Sequence, residues 1–214
     1  MTVVERSIPT PHGEARLVVR RARGVVATLL LSHGAGGGID SRDLAALGAD
    51  LPRNSVTVVL LEQPWKVAGR KVATPPATLD AGLVAAANAL KTRTPLVVGG
   101  RSAGARSAAR CAKQLGASGC LALAFPLHPP GKPEKSRLHE LRGARVPTLV
   151  IQGERDSFGR PEEFPTDLDL AVVPAADHGF KTPARAGLTE AEAMGIIVES
   201  TLEWILREVA GTGG

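Results

Sequence analysis

Tyrosine is absent from this chain, and aromatic residues of all kinds make up only 3% of it. That scarcity removes the stacking platforms on which single-stranded bases are held. The formal charge of +5 is carried by basic residues scattered among acids, with RRAR at 20–23 the one dense cluster. No nucleic-acid partner is therefore expected. Only two cysteines occur, Cys111 and Cys120, without metal-ligand spacing. They read as small, reduced, packed side chains rather than as a disulfide framework or a metal site. No apolar run approaches the ~18 residues needed to cross a bilayer, so no membrane partner is expected either. Glu5 and Arg6 stand where a secretory leader would need its apolar core, which points to the cytoplasm.

What is present is the material of a core. Hydrophobic residues account for 43% and charged residues for 22% of 214 positions, which suits one packed domain over 1–214. Val3 to Ile8 and Ala15 to Val19 are strand-like, and PTPHG supplies the turn between them. Apolar, β-rich runs follow at 25–31, 56–61, 95–100, 120–125, 147–153 and 168–173. Helix-like stretches lie among them at 41–51, 78–91, 103–115 and 134–142. A last one, 189–209, opens with Thr189 and Glu192 in a capping-box pattern. Near-continuous apolar strands separated by helices predict an α/β fold. Its mostly parallel, eight-stranded sheet should be buried on both faces and flanked by helices.

The run 95–100 ends in Gly100-Arg101-Ser102-Ala103-Gly104, after which the chain turns helix-forming. G-x-S-x-G between a buried strand and a helix is the pattern of a nucleophile elbow. The serine must take a strained backbone angle so that its hydroxyl projects outward. The residues two before and two after it run so close to neighbouring backbone that glycine is favoured. A glycine-rich turn with an incidental serine is the plainer reading of the five residues alone; the strand before and the helix after argue against it.

The first βα turn is also glycine-rich: Ser32-His33-Gly34-Ala35-Gly36-Gly37-Gly38. It lacks the G-x-G-x-x-G of a dinucleotide site and the lysine of a phosphate-cradling loop. Beside an elbow, such a loop donates one backbone N–H to the oxyanion of acyl transfer. The amide after the nucleophile, here Ala103, donates the other. Ala35 is the preferred loop donor, with Gly34 and Gly36 as alternatives. His33 reads as a residue that orders the loop rather than one that reacts.

A serine hydroxyl is a poor nucleophile until a base takes its proton. With an elbow of this kind the chain order is nucleophile, acid, base. Of His12, His33, His128, His139 and His178, only His178 lies beyond every plausible acid, in the loop after the run 168–173. Asp156 follows the preceding run, at the strand edge where α/β sites gather. It would hold the imidazole in the right tautomer. Glu154 falls two residues early, Asp167 and Asp169 sit at the wrong end of the next run, and Asp177 reads as a loop-fixing residue that stays an alternative. His139 lies in a charged helical piece and defaults to the surface.

His33, Gly34, Gly36, Arg101 and His128 are the candidate pocket-lining residues. Arg101 and Arg106 flank the elbow and would suit an anionic substrate, although a buried Arg106 paired with a carboxylate or backbone competes with that reading. Only Pro126 to Val146 separate the fourth and fifth of these runs, room for a loop and one short helix. No cap domain is expected, and the site should be open and shallow.

The strings LSHGAGGG (31–38), GGRSAGAR (99–106), FPLHPPGKPEK (125–135), IQGERDSFG (151–159) and ADHGF (176–180) together resemble the α/β-hydrolase superfamily. They look like its dienelactone-hydrolase-like branch, which includes testis-expressed hydrolase-like proteins and a scaffold subunit of a histone acetyltransferase complex. The resemblance implies a single-domain α/β-hydrolase fold without a cap and a Ser102, Asp156, His178 triad, with no cofactor. The elbow departs from the family at Ala103 and Ala105, where methionine and glycine are frequent. Dienelactone hydrolases use cysteine where this chain has Ser102, so that activity is not implied. The reading that follows is a serine hydrolase acting on a small-molecule ester or thioester through a covalent acyl-enzyme. A non-catalytic interaction module, a peptidase and an acyltransferase on the same fold are its rivals.

Overall fold

The structure is a computed structural model and describes residues 2–70 and 75–211. Each apolar run becomes a strand because leucine and β-branched side chains find a buried layer on both sides of it. In β3 (Ala27–Ser32) and β6 (Gly119–Leu123) every residue is buried. With β1 (Thr2–Thr10), β2 (Gly13–Arg21), β4 (Val56–Glu62), β5 (Leu96–Arg101), β7 (Thr148–Gly153) and β8 (Asp169–Val173) they form one sheet of eight strands. The order is β1-β2-β4-β3-β5-β6-β7-β8. β1 and β2 are the expected hairpin, and β2 joins β4 antiparallel, with Val19 opposite Val59. From β4 to β8 all neighbours are parallel, so the strands that precede Ser102, Asp156 and His178 all end on one rim.

Side-chain alternation along the strands divides the core in two. Leu29, Leu31, Val58, Val97 and Leu121 meet Leu44 and Leu47 of α1 (Arg42–Asp50) and Ile197 and Trp204 of α6 (Glu190–Trp204). On the other face Leu30, Val59, Val98, Cys120 and Val150 meet Leu83 of α3 (Pro76–Leu90) and an alanine-rich surface of α4 (Ala103–Cys111). Cys111 and Cys120 are free thiols buried in this second layer, and burial pushes them up to about 11 and about 12. α6 begins as its sequence predicts. Thr189 Oγ1 accepts from the Glu192 amide, and the Glu192 carboxylate accepts from the Thr189 amide.

Four stretches differ from the expected elements. A short helix, α2 (Pro64–Val67), follows β4; four residues are too few to show a helical period, and only Pro64 at its first turn marks it. α4 stops at Cys111 rather than 115. The stretch 134–142 divides into a 3₁₀ turn at Pro133–Lys135 and a five-residue α5 (Leu138–Arg142). The last helix widens into a π-helical segment at Ile205–Ala210. Between β6 and β7 the structure thus carries one turn and one short helix, and no cap stands over the rim. Among the described residues, no helix is long and apolar enough to cross a membrane.

Candidate functional site

Ser102 occupies the turn between β5 and α4 with φ 53° and ψ −111°. A non-glycine residue persists at such an angle only when its surroundings over-determine it. Here they do. The Ser102 amide donates to the Leu123 carbonyl at the end of β6, 2.9 Å away. A Cβ added to Gly100 would lie 2.5 Å from the Ser32 carbonyl, and one added to Gly104 would also run into that carbonyl. The two glycines of the pattern are therefore demanded by the passage of β3 beside the elbow.

The Ser102 hydroxyl lies 3.0 Å from Nε2 of His178, and Nδ1 of His178 lies 2.8 Å from Oδ2 of Asp156. A neutral imidazole that donates its Nδ1 proton to the carboxylate keeps the Nε2 lone pair for the serine. Asp156 has no solvent exposure. Its Oδ1 accepts from the Phe158 amide at 2.8 Å, and its Oδ2 also accepts from the Gln152 side-chain amide at 2.9 Å. Gln152 is itself fully buried and donates to the Gly159 carbonyl at 2.8 Å. The Phe158 ring is tilted over the imidazole of His178, with centroids 4.3 Å apart.

The glycine loop abuts this constellation. A Cβ on Gly34 would lie 3.2 Å from the Arg101 carbonyl and 3.4 Å from Ser102 Cβ. Ala35 and Gly36 are exposed beyond it. Ala103 is the first residue of α4, where an amide has no partner four residues back. Among the described residues no other backbone acceptor meets it. His33 is buried. Its Nε2 accepts from the Gln63 amide at 3.1 Å, and its Nδ1 donates to the Gly34 carbonyl at 2.9 Å. Both ring nitrogens are thus spent, one on the loop itself and one on the residue that follows β4. Burial holds the His33 imidazole below its ordinary range, which keeps it neutral.

The remaining candidates fall into place around the rim. Asp177 accepts from the amides of Gly179 and Lys181 and fixes the loop that carries His178. Glu154 is exposed and accepts from the Ala175 amide. Asp167 pairs with Arg142, and Asp169 pairs with Arg207 at the far end of β8. His128 spends one ring nitrogen on the Pro129 carbonyl and the other on Glu163, 2.8 Å away. His139 is exposed. Arg106 is clamped by the Glu140 carboxylate through two bonds of 2.6 Å, so it is not free to receive an anion. Arg101 donates to the His178 carbonyl at 2.7 Å and contacts Asp43.

Sequence reasoning missed Gln152, Phe158, Gln63 and Asp43. Gln152 ends a fully apolar run, and a lone amide there was a readable signal of a polar partner inside. Nothing in the sequence links Asp43 to the elbow.

The family model for the alpha/beta hydrolase domain matches residues 25–206. The chain belongs to this family. Solved structures share the fold. A lidless α/β serine hydrolase from Xanthomonas campestris is 19% identical over 95% of both chains, with a TM-score of 0.70. A dienelactone hydrolase from Anabaena variabilis is 17% identical, with coverage of 97% of this chain and 98% of that one and a TM-score of 0.73. The protein Est1E from Butyrivibrio proteoclasticus is 15% identical over 94% and 99%, with a TM-score of 0.68. No functionally curated protein matches the chain in sequence. Within the α/β hydrolases, this member has a dienelactone-hydrolase-like fold without a lid.

Proposed function

We propose that this α/β hydrolase is a serine esterase or thioesterase that cleaves small acyl substrates through a covalent acyl-enzyme. The observation that carries the reading is the unbroken chain from the Ser102 hydroxyl through His178 to buried Asp156, at 3.0 Å and 2.8 Å, with Ser102 held in a strained turn. Ser102 Oγ attacks the acyl carbon while its proton passes to Nε2 of His178, and Asp156 stabilises the imidazolium. The carbonyl oxygen becomes an oxyanion facing the Ala103 amide and an amide of the glycine loop, for which Ala35 is our choice. The tetrahedral species expels the alcohol or thiol, which takes the proton from His178. Water, deprotonated by the same imidazole, then releases the acid and restores Ser102.

The absence of a cap between β6 and β7 supports short acyl chains or an acyl group presented by a larger molecule. Steady turnover of p-nitrophenyl acetate should fall about 10⁶-fold in Ser102→Ala if the native enzyme is efficient with that ester. Equal turnover by the two proteins would sink the proposal. A panel of acyl lengths and leaving groups then separates esterase from thioesterase, peptidase and acyltransferase.

A further inference from the structure

Arg101 precedes the candidate nucleophile in the chain, and its guanidinium is spread over three segments. Nη2 donates to the His178 carbonyl at 2.7 Å, and Nε lies 3.1 Å from Oδ2 of Asp43 in the first turn of α1. Nη1 faces the glycine loop: a Cβ on Gly34 would lie 3.8 Å from it. Asp43 has no solvent exposure, and neither of its carboxylate oxygens has an aligned hydrogen bond. Among the described residues Arg101 is the one cation in contact with it. A buried carboxylate with a single counter-charge ties that charge to one place.

Two features make this more than a structural ion pair. The guanidinium bonds the backbone of the base itself, and it belongs to the residue next to the serine. Any displacement of Arg101 therefore acts on both ends of the 3.0 Å Ser102–His178 bond. The fork meets Asp43 through one nitrogen and the His178 carbonyl through another, a fixed separation that the single nitrogen of an ammonium does not reproduce.

We propose that Arg101 is a positioning residue that sets the separation of Ser102 and His178, with buried Asp43 as its anchor. The inference rests on the hydrolase reading above. It is tested in the full chain with Arg101→Lys and with the double variant Arg101→Met, Asp43→Asn, which leaves no buried charge unpaired. Both should melt cooperatively. In both, kcat for p-nitrophenyl acetate should fall about 10²-fold, the scale of a 1 Å misplacement, while KM stays within about threefold. Arg101→Lys should recover stability without recovering rate, a split that a purely structural role would not give. Wild-type kcat in either variant overturns the inference, as does a rate that falls only in step with lost cooperative melting. A native protein without Ser102-dependent turnover overturns the hydrolase reading and this inference with it, whereas native turnover with unaffected variants sinks the inference alone.

Discussion

Helix α4 has two polar regions that look alike in sequence and differ in kind. At its N-terminal rim, a strained Ser102 and an Ala103 amide that meets no backbone acceptor among the described residues stand beside a glycine loop held by the buried His33 ring. On its flank, Ser107 and Arg110 engage Asp80, and Arg106 and Arg110 engage Glu140, so that acids and bases of α3, α4 and α5 answer one another. The flank spends its charges on holding helices together. The rim keeps a strained residue and, among the described residues, leaves the Ala103 amide without a backbone acceptor. Two arginines five residues apart, Arg101 and Arg106, thus serve different ends, and what separates them is their partners rather than their spacing.

If the rim is built for reaction and the flank for stability, substitutions in the two should split rate from stability. With Ser102 and Arg101 left in place, the largest effect is expected at Gln152. Replacing it with leucine removes one donor to Asp156 Oδ2, and a bond to a charged group is worth about 1.5–3 kcal/mol. Ester turnover should fall roughly 10- to 100-fold, read as kcat at saturating substrate.

On the flank, Glu140→Gln should leave kcat unchanged and lower the unfolding free energy by about 2 kcal/mol, between the values for exposed and for fully buried pairs. Burial opposes ionisation of Glu140, but the Arg106 bonds and the charge of Arg110 outweigh it and hold its carboxyl below the ordinary carboxylate range. A depressed folded value contributes stability above the unfolded value and loses it as pH falls. Denaturant melts should therefore show the gap between native and variant proteins at neutral pH and see it close in acid. A constant gap across pH would break the comparison.

The smallest effect is spectroscopic. His33 should read in nitrogen-15 imidazole spectra as the neutral Nδ1–H tautomer at pH values where an exposed histidine is already charged. Protonation would turn a second N–H against the Gln63 amide, so the loop should loosen only in more acidic solution.

How much of this was legible beforehand follows from the range of each signal. The strands were readable because burial on both faces leaves long apolar runs, and the α6 start because Thr189 and Glu192 are three residues apart. The elbow was readable for the same reason: its steric demands fall on residues within five positions. Ser102, Asp156 and His178 could be named from chain order and strand edges, without any knowledge of the distances between them. Gln63 and Asp43 act through partners at sequence separations that no local pattern encodes, whereas Gln152 meets Asp156 only four residues on. Arg106 shows the limit most plainly, since its pairing depends on Glu140, 34 residues on. Helix ends at Cys111 and within 134–142 were blurred because proline, glycine and short turns compete there with helical propensity.

The central claim is that Ser102 is activated by His178, and intact-mass spectrometry after reaction with a fluorophosphonate tests it most directly. The account predicts one adduct, mapped to the peptide carrying Ser102, formed rapidly by the native protein and far more slowly by His178→Ala. An unlabelled Ser102, or labelling at the same rate without the imidazole, would contradict it.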